Sequence, residues 1–200
     1  MNLPRVYPIV DSAAWVRRLA AHGVRMLQLR IKDRPQQELL GQIRDARTYC
    51  AASGVQLIIN DFWQLALEAG CDFVHLGQAD LAGADVPALR RAGVRLGIST
   101  HDEAELERAL AVQPDYVALG PIYPTLLKAM PWAPQGLQRI GEWKRRIGTL
   151  PLVAIGGLTL ERLPGVFAAG ADIAAVVTDI VRAAQPETRA RQWLAAAAGA

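Results

Sequence analysis

Eight short apolar runs, each the length of a strand, recur along the chain at residues 6–10, 26–31, 55–59, 73–76, 94–98, 116–119, 152–155 and 173–177. Between them lie longer stretches with helical spacing, among them 13–21, 37–52, 103–111 and 162–169. Runs with so little internal polarity read as parallel strands covered on both faces. Parallel neighbours joined through helices imply right-handed βαβ units. Eight such units fit an α/β fold of the (β/α)8, or TIM-barrel, type. A chain of 200 residues is at the short end for that fold, so its loops must be brief. A doubly wound sheet is the alternative, but it needs fewer strands or a second subdomain, and no linker is visible. The expectation is a single compact domain over 1–200, with a core at about 6–180 and an Ala-rich end helix at about 186–198.

Punctuation falls where this scheme needs it. Gly23, Gly54, Gly70, Gly93 and Gly170 each stand just before a strand, where a helix C-terminus favours a left-handed residue. Asp102 and Thr159 are placed to cap the helices after strands five and seven. The connection 121–135 is long, carries four prolines and has no helical period, which suits an active-site loop.

Composition narrows the function classes. A hydrophobic content of 52% excludes disorder. The 22 basic and 19 acidic residues are spread along the chain, without the clustering of a nucleic-acid footprint. Cys50 and Cys71 lack CxxC spacing, which excludes a zinc knuckle or disulfide scaffold and leaves them as small packing residues. No apolar stretch approaches the ~20 residues of a membrane helix. The first residues lack the order of a signal peptide, so a cytoplasmic location is expected.

The strand ends carry the chemistry. Seven runs finish in polar residues or glycine, and in a barrel all of these ends collect on one rim. Gln28, Arg30 and Lys32 alternate, so they share a strand face. Two cations on an otherwise apolar strand need an anion to offset desolvation. A phosphate or diphosphate clamp meets that need, and so would internal salt bridges to Asp61 and Asp80. Those two aspartates, at neighbouring strand ends, suit a Mg²⁺ ion held with a diphosphate, although helix capping would also explain either one. Gly156-Gly157 and Val177-Thr178 occupy the usual phosphate position of a barrel, or are ordinary turn residues. His22 reads as solvated, His75 as a hydrogen-bonded core histidine, and His101 as a ligand contact or a helix start. Trp15, Trp143 and Trp193 read as helix packing; Trp63 and Trp132 lie near the rim, where they line a pocket or, as the simpler role, pack. No pattern for a covalent nucleophile is present.

Several of these segments, taken together, resemble the thiamine-phosphate synthase family. They are Gln28-Leu-Arg30-Ile-Lys32, Asn60-Asp61, Val74-His75-Leu76-Gly77-Gln78-Ala79-Asp80, Gly97-Ile98-Ser99-Thr100-His101, Gly120-Pro121-Ile122-Tyr123-Pro124-Thr125 with Lys128, and Val153-Ala154-Ile155-Gly156-Gly157. The resemblance runs in order from Val6 to Ile180. It implies a (β/α)8 barrel and an alkyl- or aryl-transferring enzyme with two small-molecule substrates. Hydroxymethylpyrimidine diphosphate and a thiazole phosphate, commonly carboxylated, would give thiamine phosphate and diphosphate. In the family the diphosphate leaves first, and the thiazole nitrogen attacks the resulting pyrimidine-stabilised cation.

By that resemblance Gln28, Arg30, Lys32 and Asn60 hold the pyrimidine diphosphate, and Asp61 and Asp80 ligate Mg²⁺. Ser99, Arg30 and Lys128 act on the leaving diphosphate. Thr125, Gly157, Val177 and Thr178 receive the thiazole phosphate. Three positions depart from the family pattern. Phe62 stands where Arg is common, Thr178 where Ser is usual, and Leu127 replaces the second Thr of Pro-Thr-x-Thr-Lys. Two other readings share the barrel: a thiazole tautomerase-like isomerase, which needs no diphosphate clamp, and a degenerate ligand-binding barrel, for which only Leu127 speaks. Homo-oligomerisation is left open.

Overall fold

The computed structural model describes residues 3–125 and 132–199. Eight parallel strands close on themselves in chain order: β1 (Val6–Val10), β2 (Met26–Leu29), β3 (Gln56–Asn60), β4 (Phe73–Leu76), β5 (Arg95–Thr100), β6 (Tyr116–Leu119), β7 (Leu152–Ala154) and β8 (Ile173–Val176), with β8 pairing back onto β1. The helices are α1 (Ala13–Ala20), α2 (Gln36–Ser53), α3 (Trp63–Glu68), α4 (Gln78–Ala82), α5 (Val86–Arg91), α6 (Glu103–Ala111), α7 (Gly136–Ile147), α8 (Leu163–Ala168), α9 (Thr178–Val181) and α10 (Pro186–Ala198). This is the barrel expected from the alternation. Among the described residues no helix is long and apolar enough to cross a membrane.

Side-chain parity sorts the strand residues. Outward positions such as Leu27, Leu57, Val74, Leu96, Val117 and Ala174 join one large core beneath the helices. Inward positions form a second cluster that fills the barrel: Tyr7, Ile9, Met26, Ile58, Phe73, Tyr116, Ala118, Val153, Ile173 and Ala175. Strands buried on both faces have no polar side to display, which is why they appear in sequence as unbroken apolar runs. Trp143 and Trp193 are fully buried helix-packing residues, as expected. Their indole N–H groups are satisfied by Thr100 Oγ1 at 2.9 Å and Asp179 Oδ2 at 2.6 Å. Cys50 and Cys71 are both buried and free.

The ends of the elements differ in detail. Strand β2 stops at Leu29 instead of reaching residue 31. Arg30 N–H still donates to Val10 O at 2.8 Å, after which the chain leaves the sheet and Asp33 turns it with φ 57°. Strand β5 runs on through Ser99 and Thr100, which pair with Ala118 and Leu119. The five glycines expected at helix ends all have positive φ. Asp102 caps α6 through Glu105 N–H at 2.8 Å. Thr159 precedes only a 3₁₀ turn, Leu160–Arg162, and makes no side-chain cap bond, so that expectation is corrected.

Gly97 shows how tightly the barrel is filled. A Cβ built there would lie 2.0 Å from Tyr116 Cζ and 2.4 Å from its hydroxyl oxygen. We expect Gly97→Ala to destabilise the protein by about 3 kcal/mol, at the upper end for overpacking. Urea denaturation would measure this, and an unchanged midpoint would contradict the packing described.

Candidate active site

The inward positions change character toward the strand C-termini. Above the apolar floor stand Gln28, Asn60, His75 and Ser99, and over them opens a cavity of about 420 Å³. Gln28, Arg30, Lys32, Asn60, Asp61, Asp80, Ser99, Thr125, Gly157, Val177 and Thr178 all line it. Residues eighty or more positions apart are neighbours here because each follows its own strand to the same rim. Lys128 and Leu127 lie outside the described residues. An adjoining recess of about 490 Å³ shares Lys32, Asp61 and Asp80 and is walled by Phe62 and Trp63.

Arg30 is half-buried and Lys32 exposed. Among the described residues neither lies within ion-pair distance of a carboxylate. Both remain close enough to Asp61 to favour its charged form.

Asp61 sits at the turn after β3 with φ 63°, and its N–H donates to His75 O at 2.9 Å. Its carboxyl is hydrogen-bonded to that of Asp80 and is pushed up to about 6. Burial is the main cause, followed by the charge of Asp80 and the shared hydrogen bond, against the pull of Arg30 and Lys32. Helix capping does not account for either side chain: the residues before α3 and α4 are Phe62 and Gly77, and neither N-terminus has a side-chain cap bond. Two carboxylates pressed together need a proton or a cation between them. Hard oxygen donors in this arrangement fit a divalent cation such as Mg²⁺. No cluster of three or more metal-ligating side chains occurs among the described residues. Two carboxylates suffice where water and substrate phosphates complete the shell.

The opposite wall is built by close backbone approach. Ile122 N–H donates to Ile155 O at 2.9 Å and Tyr123 N–H to Gly156 O at 3.0 Å, drawing the segment after β6 against the end of β7. Gly157 has φ 64°, and a Cβ there would lie 2.5 Å from Pro124 O. Only glycine meets both demands. These are therefore more than turn residues: they bring Thr125 to the cavity beside Val177 and Thr178 at the start of α9.

A polar chain crosses the barrel beneath the cavity. Gln28 Nε2 donates to Tyr7 Oη at 2.9 Å, and Tyr7 Oη meets Tyr116 Oη at 3.0 Å. His75 follows, with Nδ1 2.7 Å from Tyr116 Oη and Nε2 2.8 Å from Ser99 Oγ. His75 is thus the hydrogen-bonded core histidine expected, although it also lines the cavity. Burial, aided by the charge of Arg30, pushes its imidazole down to about 4 and keeps it neutral. Burial also raises both tyrosine hydroxyls, so neither ionises. Tyr7 and Tyr116 were not among the expected site residues. Their inward parity, shared with Gln28 and His75, was the available signal.

At the rim, His101 pairs with Glu105 at 2.7 Å and stacks on Trp132, with ring centroids 5.4 Å apart. Trp132 is therefore a wall of the cavity, not simple packing. Of the two roles open to it, pocket lining is the one adopted, because the indole covers a polar histidine at the mouth.

The thiamine monophosphate synthase family model matches residues 6–180. A thiamine-phosphate synthase from Rhizobium etli is 62% identical over 198 residues, covering 99% of this chain and 97% of that relative. One from Klebsiella pneumoniae is 48% identical over 192 residues, covering 96% and 91%. Among solved structures, a thiamine phosphate pyrophosphorylase from Pyrococcus furiosus superimposes with a TM-score of 0.87 at 22% identity, covering 99% of this chain and 97% of that one. A 3-hexulose-6-phosphate synthase superimposes with a TM-score of 0.69 at 20% identity, covering 96% of this chain and 99% of that one. At those identities the two structures speak for the barrel alone. The family match and the close relatives speak for more: this chain belongs to the thiamine monophosphate synthase family.

Proposed function

We propose that this protein is a transferase joining hydroxymethylpyrimidine diphosphate to a thiazole phosphate, giving thiamine phosphate and diphosphate. The observation that carries the reading is a single cavity with two anion-seeking walls. Arg30 and Lys32, free of ion pairs among the described residues, stand with paired Asp61 and Asp80 on one side. Gly157, Val177 and Thr178 stand on the other. Two phosphate-bearing substrates held at opposite walls bring their reacting atoms together between them, which is the largest part of what such a reaction needs.

In this reading Gln28 and Asn60 orient the pyrimidine, while Arg30, Lys32 and Ser99 hold its diphosphate. Thr125 and the backbone at Gly157, Val177 and Thr178 hold the thiazole phosphate. Asp61 and Asp80 would hold Mg²⁺, which when bound supplies positive charge to the departing diphosphate. The bond from the pyrimidine methylene carbon to the diphosphate oxygen breaks, and its electron pair leaves with the diphosphate. The thiazole nitrogen then donates its lone pair to that carbon, and a carboxylated thiazole also loses CO₂. Electrostatic stabilisation of the leaving group dominates, so no protein nucleophile is required. Lys128, in the family motif, adds a further cation toward the diphosphate. The intact cationic strand end favours this over the isomerase reading, which has no diphosphate to hold. A cytoplasmic location suits such a biosynthetic step.

The test is a coupled assay of diphosphate release with both substrates and Mg²⁺. Release that requires both substrates and stops on chelation is expected; release with the pyrimidine substrate alone, or none, overturns the reading. The departure at Leu127 adds a second expectation. Leu127 lacks a hydroxyl that could hydrogen-bond to a charged ligand, a contact contributing about 1.5–3 kcal/mol. Leu127→Thr should therefore raise kcat/KM, by about tenfold if the low end of that contribution is recovered. A loss of activity would show that the apolar side chain is itself adapted to the ligand.

A further inference from the structure

We infer that Tyr7, Tyr116 and His75 form a one-way hydrogen-bond relay that presents Ser99 to the substrate as a hydrogen-bond donor. This rests on the proposed role of Ser99 beside the pyrimidine diphosphate. One direction in the chain is fixed, and the substrate's charge selects the rest. The Gln28 amide N–H can only donate, so Tyr7 Oη accepts at 2.9 Å. In the relay the one hydrogen of Tyr7 goes to Tyr116 Oη at 3.0 Å, and that of Tyr116 goes to His75 Nδ1 at 2.7 Å. A neutral imidazole accepting at Nδ1 carries its proton on Nε2, which donates to Ser99 Oγ at 2.8 Å. Ser99 is left with its own hydrogen free for the cavity. Run backwards, the same chain would spend that hydrogen on His75 and turn a lone pair toward the substrate, which an anionic diphosphate would oppose.

The fold commits space to this chain. Gly97 leaves room for the Tyr116 ring, whose hydroxyl would otherwise meet a Cβ at 2.4 Å. The His75 and Tyr116 rings lie nearly parallel, with planes 16° apart and centroids 5.6 Å apart. Each intermediate hydroxyl is buried, so no solvent molecule can take over its bond at little cost. Tyr7, Tyr116 and His75 are thus positioning residues that act through Ser99.

Two measurements test the relay. Nitrogen-15 NMR of histidine-labelled wild-type protein should show His75 as the neutral Nε2–H tautomer. Kinetics should show Ser99→Ala and Tyr116→Phe each lowering kcat about tenfold or more, with KM for the thiazole phosphate little changed. The double variant should fall no further than Ser99→Ala alone. A residue that merely supports the fold would instead give additive losses. Tyr7→Phe, which leaves the Tyr116–His75 contact in place, serves where Tyr116→Phe does not fold, and should show the same non-additivity with Ser99→Ala. An Nδ1–H tautomer, or additive losses, overturns the relay while leaving the role of Ser99 standing. A fully active Ser99→Ala overturns both.

Discussion

Asp61→Asn should lower turnover by about 100-fold or more while leaving the metal-free protein at least as stable as the parent at pH 7. Removing one preorganised charge-stabilising group from an active site typically costs 100- to 1,000-fold in rate. Here the loss would arise because one of the two cation-holding carboxylates is gone. The stability expectation has the opposite sign. The Asp61 carboxyl is raised from its ordinary value of 3.8 to about 6, so the folded protein takes up a proton more readily than the unfolded chain. A raised carboxyl makes the protein less stable as pH climbs from about 4 to about 6, and that cost is complete at pH 7. Asn carries no charge and tolerates the left-handed φ of 63° better than most residues. The gain should be about 1 kcal/mol, after allowing for solvent screening at this partly exposed site. Steady-state diphosphate release and urea denaturation without metal would check the two halves. Turnover retained within threefold would remove Asp61 from the reaction.

Arg30→Ala should lower kcat/KM by about 100-fold or more, with Arg30→Lys recovering only part of it. A half-buried guanidinium that acts on Asp61 without forming an ion pair among the described residues has donors left for a ligand. Its planar fork can grip two oxygens of a diphosphate, which an ammonium cannot match. Truncation also takes away a charge that favours ionised Asp61 and disfavours protonated His75. Thermal denaturation with inorganic diphosphate and Mg²⁺ gives a readout that does not depend on turnover. The parent protein should be stabilised and Arg30→Ala should not. Equal stabilisation of both would show that the anion is held elsewhere.

The eight strands were legible because burial on both faces leaves each a short run of apolar residues. The rim residues were legible because a polar side chain ending such a run interrupts it visibly. Gln28, Arg30, Asn60, Asp61 and Ser99 stand out in this way, and a cation among apolar neighbours already implies an anion. The end of β2 was not readable: Ile31 is buried and apolar like a strand residue, yet it follows the sheet instead of joining it. Spacing along the chain reports burial, and burial does not distinguish a strand from a packed turn.

The amino-acid order by itself thus determined the barrel, the rim that bears the chemistry and the residue types gathered there. What only tertiary structure decided was which groups touch. Asp61 and Asp80 come from separate βα units, and only the closed barrel presses their carboxyls together and raises one of them. Trp132 becomes a cavity wall only because His101 lies under it. Tyr7 and Tyr116 read in sequence as ordinary apolar strand residues. Their hydroxyls meet 109 positions apart because inward side chains from opposite parts of a closed sheet share one interior. Local sequence encodes the face a side chain points to; its partner across the barrel is set by closure and register, which depend on every strand at once.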